Sequence, residues 1–247
     1  VNLSASVVSL PLRERFTIAT GSVDAEDVAT LTLAHGGIVA YGEGAPVDYW
    51  GESAAGIVSA VEGEGAAVLG HDLFAVERIA DRLAEWDGPQ GAKMALDGAL
   101  HDWLGKRLGQ PCWRLLGTER SMPATSYTIG IDTVEGTIAR ARGAHGFAVL
   151  KVKVGGRDDL ERLEAIRASA PARLRVDGNQ GWDLETAVAL TPRLIELGVE
   201  LLEQPFDVED VEACRAYRSH APRLPLLIDE GCRDLASLAA VAPYADG

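Results

Sequence analysis

Cysteine is scarce in this sequence, and basic residues are outnumbered by acidic ones. Cys112, Cys214 and Cys232 stand far apart and show no Cys-x-x-Cys spacing. An odd, dispersed set argues against a disulfide framework or a zinc site, and it fits reduced thiols in the cytoplasm. Lysine and arginine number 23 against 37 aspartates and glutamates, a net charge of −14. Nucleic acid needs a basic face and an anionic membrane attracts one, so neither is an expected partner. No apolar run approaches the length of a membrane span, and Val1 to Leu10 lacks the basic start of a secretion signal. Glycine fingerprints of dinucleotide and phosphate loops are missing too. The five histidines, His35, His71, His101, His145 and His220, have no ligand spacing and read as turn, surface or packing residues.

What is present is 247 residues, 47% hydrophobic and 24% charged, enough for a sizeable core or two smaller ones. The pattern changes near residue 120. Residues 1–120 open with strand-like runs at Ala5 to Leu10, Val28 to Ala34 and Ile38 to Gly42, with His35-Gly36-Gly37 as a hairpin turn. Helical patterns follow, the clearest from Gly91 to Leu108, closed by Gly109-Gln110-Pro111. That order predicts an α+β domain. Residues 121–247 alternate instead. Apolar runs at Thr125 to Ile129, Phe147 to Val154, Leu174 to Val176, Val199 to Leu202 and Leu224 to Ile228 are separated by helical patterns. Repeated βα units predict parallel strands, in a barrel or an open doubly wound sheet; periodicity alone does not choose.

Charged residues close these runs: Lys151-Val152-Lys153, Asp177-Gly178-Asn179, Glu203-Gln204-Pro205 and Asp229-Glu230. The C-terminal ends of parallel strands are where α/β sites assemble. Lys151 and Lys153 share a strand face because the period is two. Neighbouring ammonium groups disfavour each other and burial adds to this, so the pair reads as the source of a basic amine. Asp177, Glu203 and Asp229 follow at intervals of 26 residues, one per strand. Three convergent carboxylates repel unless a cation joins them, and oxygen-only donors suit Mg²⁺. A base beside carboxylate-held Mg²⁺ suits proton abstraction α to a carboxylate. Asn179, Gln204 and Glu230 read as supporting residues beside the ligands. Gly155-Gly156 reads as a tight βα turn, and Trp182 stands out because it follows the Asp177–Asn179 loop.

This set resembles the muconate-lactonizing subgroup of the enolase superfamily. Pro11-Leu12, Phe16, Gly42-Glu43-Gly44-Ala45-Pro46 and Ala95-Leu96-Asp97-Gly98-Ala99-Leu100 are similar to its capping domain. Ser126-Tyr127-Thr128-Ile129-Gly130-Ile131-Asp132, Leu150 to Gly156 and Asp229-Glu230-Gly231-Cys232 are similar to dipeptide epimerases of the L-Ala-D/L-Glu type. The resemblance implies an α+β capping domain (1–120) followed by a partial (β/α) barrel of the enolase type (121–247), with about five of eight strands present. It implies Lys153 as base with Lys151 beside it, Mg²⁺ on Asp177, Glu203 and Asp229, and a small carboxylate substrate, a dipeptide. Muconate cycloisomerase and o-succinylbenzoate synthase use much the same residues and stand as alternatives. A homo-oligomer is compatible with the family.

The resemblance also implies that Phe16 to Ser22 covers the site, with Ile18, Thr20 and Tyr127 among the substrate-facing residues. Epimerases for acidic dipeptides often carry an arginine in that segment; here it holds no cation, and Arg13 and Arg15 precede it. A less acidic dipeptide is therefore expected. An opposing lysine belongs on the family's sixth strand, and Tyr244-Ala245-Asp246-Gly247 resembles only the entrance to it. With one base, one-sided proton exchange is the expectation. An open five-strand sheet is expected to be unstable alone, to aggregate, or to be completed by another chain. A non-catalytic binding or assembly module is the rival from another class.

Overall fold

The computed structural model describes residues 1–119 and 121–247. The chain divides into two compact units, Val1–Arg13 with Asp24–Met122, and Glu14–Val23 with Pro123–Gly247.

The first unit is built on a three-stranded sheet, β1 (Asn2–Ile18), β2 (Gly21–His35) and β3 (Ile38–Gly44), in that order. β2 and β3 are antiparallel, with His35 opposite Ile38 and the two turn glycines, Gly36 and Gly37, in the left-handed region. That is the two-residue hairpin whose twist suits the strands. Helices α1 (Ala54–Ala60), α2 (Ala66–Leu69), α3 (Val76–Glu85), α4 (Gln90–Leu108) and α5 (Cys112–Leu115) follow. On α4, Ala92, Ala95, Leu96, Ala99, Leu100, Trp103 and Leu104 are buried at helical spacing. The helix stops at left-handed Gly109, two residues before Pro111. β3 lies almost backbone to backbone with α4. A Cβ on Gly42 would come within 1.9 Å of the Ala95 carbonyl oxygen, and one on Gly44 within 2.1 Å of that of Gly91.

The first strand is longer than the sequence suggests. β1 continues past Leu10 to Ile18, and β2 begins at Gly21, so the expected loop from Phe16 to Ser22 is a hairpin tip. Pro11 is tolerated because β1 is an edge strand of its sheet. Thr17 and Ile18 are β-branched and extend readily, leaving the turn to Ala19 and Thr20.

In the second unit, β4 (Ser126–Ile129), β5 (Val149–Lys153), β6 (Arg173–Asp177), β7 (Val199–Glu203) and β8 (Leu226–Leu227) form a parallel sheet in sequential order. Helices α6 (Val134–Gly143), α7 (Asp159–Ser169), α8 (Leu184–Glu196), α9 (Val211–Ser219) and α10 (Leu235–Val241) alternate with the strands. Thr133, Asp183, Asp210 and Asp234 cap α6, α8, α9 and α10 by accepting backbone N–H bonds. Sequential order with right-handed crossovers puts all the helices on one face. A doubly wound sheet would reverse its order partway. The choice left open by periodicity therefore falls to the barrel, of which five neighbouring strands are present.

The core agrees. Leu150, Val152, Leu174, Val176, Leu202 and Leu226 pack with Leu163, Ile166, Ala187, Leu194, Ala213 and Tyr217. The alternate strand residues, Lys151, Lys153, Arg175, Asp177 and Glu203, take the other face. Beyond α10 the backbone returns beside β8: Asp246 N–H donates to Leu226 O at 2.8 Å, and Ile228 N–H to Gly247 O at 3.0 Å. The Asp246 carboxylate accepts from Leu226 N–H at 2.9 Å, from Arg223 at 2.5 Å and from Arg218. Among the described residues no helix is long and apolar enough to cross a membrane.

Candidate active site

Strand register assembles the charged group. Lys153 pairs with Asp177 across β5 and β6, and Asp177 with Glu203 across β6 and β7. Residues level with one another on parallel strands share a face, so the ends of three strands present lysine, aspartate and glutamate together. Lys153 Nζ donates to Asp177 Oδ2 at 2.7 Å. Lys151 Nζ lies 2.8 Å from the same oxygen and 2.9 Å from Glu203 Oε1. Asp177 is fully buried, and its other oxygen accepts Asn179 N–H at 3.0 Å.

The electrostatics differ from the expectation for Lys151. Burial pulls its ammonium down, but hydrogen bonds and charges from Asp177 and Glu203 outweigh burial and hold it above the ordinary lysine value. Two carboxylates, not the neighbouring lysine, decide its protonation. Burial raises the Glu203 carboxyl, and the charges of Asp177 and Asp229 add to this against the opposing pull of Lys151.

Among the described residues no three Asp, Glu, His or Cys side chains stand close enough to hold a metal ion in this arrangement. The positive charge among the carboxylates comes from the lysines, with Lys151 bridging two of them. The residues still fit Mg²⁺ in donor chemistry: carboxylates on neighbouring strands, no nitrogen or sulfur donor, and a cation already held between two of them.

The supporting residues are brought in as well. Gln204 is buried with φ +31. Its Nε2 donates to Phe206 O at 2.9 Å, and its Oε1 accepts Asp229 N–H and Gly231 N–H, each at 3.1 Å. One side chain thus ties the turn after β7 to the turn that carries Asp229. Asn179 Nδ2 donates to Glu230 Oε1 at 3.0 Å, leaving Asn179 Oδ1 and Glu230 Oε2 buried without a partner among the described residues. Asn179 and Gln180 also take positive φ, a conformation costly for non-glycine residues and frequent where a site is assembled.

Ile18 is half-buried and Thr20 exposed at the hairpin tip, beside the ends of β4 to β6. Tyr127 is not brought to the group. It is level with Leu150, so it lies on the helix-covered face and packs at a tilt against Phe147, with ring centres 5.0 Å apart. The β4 residue level with Lys151 is Thr128. The strict alternation of the strand moves Tyr127 away from the charged face.

Two residues went unread in the sequence, Asp159 and Arg162. Both are buried near the lysines, and Arg162 donates to the carbonyl oxygen of Lys153 at 3.0 Å. Their signal was present: Asp159, Arg162, Leu163 and Ile166 form one helical face, so two charges sit on the apolar side of α7. Trp182, singled out by its position, donates to Asp159 at 2.9 Å. Gly155-Gly156 is the tight βα turn expected, with Gly155 at φ +111.

Residues 3–117 match the model for the mandelate racemase / muconate lactonizing enzyme N-terminal domain, and residues 134–243 the enolase C-terminal domain-like model. A hydrophobic dipeptide epimerase of Enterococcus faecalis is 34% identical over 95% of this chain and 68% of its own length. An L-Ala-D/L-Glu epimerase of Bacteroides thetaiotaomicron is 34% identical over 94% of this chain and 61% of its own. The crystal structure of the Enterococcus faecalis V583 dipeptide epimerase, complexed with Mg and the dipeptide L-Leu-L-Tyr, superposes with a TM-score of 0.90 at 30% identity. It covers 99% of this chain and 72% of that one. The chain thus spans about two thirds of the length of the relatives it matches. With both domain models matched in order and the fold shared almost throughout, the chain belongs to the enolase superfamily, in its mandelate racemase and muconate lactonizing branch.

Proposed function

We propose that this chain carries the base and the metal-holding carboxylates of an isomerase that removes the proton α to a carboxylate, with a dipeptide as substrate. The observation that carries the reading is the convergence of Lys151 and Lys153 on Asp177 and Glu203 at the ends of adjacent strands. Asp177, Glu203 and Asp229 would hold Mg²⁺, which when bound supplies positive charge to a substrate carboxylate. Lys153, nearest to buried Asp177 in register, takes the α-proton. Lys151, kept protonated by Asp177 and Glu203, provides fixed positive charge beside the substrate carboxylate. Gln204 and the Asn179–Glu230 pair hold the three turns in place. The hairpin tip carries no charge from Phe16 to Ser22, which supports a dipeptide with uncharged side chains. Three free cysteines support a reducing compartment such as the cytoplasm.

The experiment is α-proton exchange in D₂O, followed by NMR, with Mg²⁺ and a panel of apolar and acidic dipeptides. Muconate and o-succinylbenzoate precursors belong in the same panel, because the fold and the charged group serve those reactions equally. Exchange in a dipeptide, fastest for an apolar one, supports the reading. Turnover of a cycloisomerase substrate alone overturns it.

A further inference from the structure

Behind Lys153 lies a buried charged pair that this proposed chemistry does not use. Asp159 and Arg162, on the first turn of α7, are 3% and 1% exposed and joined at 3.2 Å. A charge pair at that depth is costly unless its remaining hydrogen-bonding groups are satisfied. Here they are, by backbone groups after β4 and at the end of β5, by the Trp182 side chain after β6 and by Thr137 on α6. Asp159 accepts Gly155 N–H at 2.8 Å, Gly156 N–H at 3.1 Å and Trp182 Nε1–H at 2.9 Å. Arg162 donates to Gly130 O and to Lys153 O, each at 3.0 Å, and to Thr137 at 3.2 Å. The pair therefore grips the chain after β4, at the end of β5, and after β6.

Those same three turns seat the hairpin tip. Ile131 N–H donates to Thr17 O at 2.8 Å. A Cβ on Gly130 would come within 3.0 Å of Thr17 O. A Cβ on Gly155 or Gly181 would come within 2.5 or 2.6 Å of the Ala19 side chain, so Ala19 fits only because both positions are glycine. Gly155 and Gly181 approach each other closely, and Trp182, next to Gly181, is one of the groups Asp159 holds. Arg140, bonded to Glu14 at 2.6 Å and to Asp132, ties the hairpin from the outside.

We propose that Asp159 and Arg162 are positioning residues that hold three βα turns in register, and so set both the seat of the Thr17–Ala19 tip and the backbone of Lys153. One device then governs closure over the site and placement of its base. The part concerning Lys153 rests on its proposed role as base; the part concerning the tip does not.

The test is hydrogen–deuterium exchange on the whole chain, read by peptide, for the parent, Asp159→Asn and Gly181→Ala. Asparagine keeps the shape of Asp159 but replaces one carboxylate oxygen with an NH₂ group, which must face either the Gly155 and Trp182 donors or the Arg162 donor, with Gly156 N–H shared between the two sides. Exchange in residues 14–23 and 154–156 is expected to accelerate roughly tenfold, the factor matching loss of one hydrogen bond to a charged group. Helices α8 and α9 should exchange as in the parent. Gly181→Ala should loosen 14–23 most, by evicting Ala19, with a smaller effect at residue 155, whose Cα the new Cβ would meet at 2.8 Å. Trp182→Phe, which deletes one donor and keeps the ring, serves if Asp159→Asn does not fold. Unchanged exchange at the tip, or equal acceleration in every helix of the unit, overturns the proposal. In α-proton exchange assays, Asp159→Asn should lower kcat as well as raise KM, whereas Gly181→Ala should act on KM. A KM effect alone in Asp159→Asn removes the link to Lys153 and leaves the seating of the tip to stand or fall on the deuterium exchange.

Discussion

Asp246 offers a sharp test of how the outer side of β8 is held. Burial raises its carboxyl, but hydrogen bonds from Arg223, Leu226 N–H and Arg218 outweigh burial and bring it from 3.8 down to about 2. A group whose folded pKa is depressed stabilises the fold above its unfolded value and loses that contribution as pH falls through the folded one. The shift corresponds to roughly 2 kcal/mol at full value. About a quarter of the side chain remains exposed, so solvent screening reduces this to about 1–1.5 kcal/mol. Asp246→Asn should therefore lower stability by about that amount at pH 7, measured from urea unfolding midpoints at constant m-value. Near pH 3 the unfolded carboxyl is mostly protonated while the folded one is still mostly ionised, so the gap should narrow to about half. A gap that stays constant or widens from pH 7 to pH 3 would refute the electrostatic account and assign the loss to packing.

Three further outcomes are expected. Mg²⁺ should raise the melting temperature, by ~2.7 kcal/mol of stabilisation at a hundredfold excess over Kd, and Asp177→Asn or Glu203→Gln should abolish that shift in differential scanning fluorimetry. Gln204→Leu removes one buried donor and an acceptor of two N–H bonds, so urea unfolding should show a loss of about 2–4 kcal/mol, from the desolvation penalty of the groups left unpaired. Tyr127→Phe should leave the α-proton exchange rate within about twofold, because an exposed or helix-facing change away from the chemistry carries little transition-state energy; a large loss would put Tyr127 back among the substrate-facing residues.

Much of the fold was legible because it rests on local rules. Alternating apolar runs and helical patterns located each parallel strand, and Lys151 with Lys153 had to share a face. Periodicity alone left barrel and open sheet undecided, since strand order is recorded by no local pattern; the barrel was expected from the resemblance of the strand-end motifs, and the sequential strand order bears it out. The hairpin tip was misjudged because Thr17 and Ile18 extend readily and because Pro11 is harmless on an edge strand. Tyr127 was drawn in by the wording of its segment, whereas its register with Leu150 turns it to the core. The protonation of Lys151 depended on which charges lie nearest, and those are the Asp177 and Glu203 carboxylates, on the next two strands and far off in sequence but within 2.9 Å in space. Asp159 and Arg162 went unread, although their spacing with Leu163 and Ile166 already placed them on the buried side of the helix.

The most direct test of the central claim is α-proton exchange of an apolar dipeptide in D₂O with Mg²⁺, comparing the parent with Lys153→Ala. The account predicts measurable exchange in the parent, abolished by chelator and reduced about 10²–10⁴-fold by loss of the general base. Exchange that persists undiminished in Lys153→Ala, or its absence from a parent shown to be folded and to bind Mg²⁺, would contradict it.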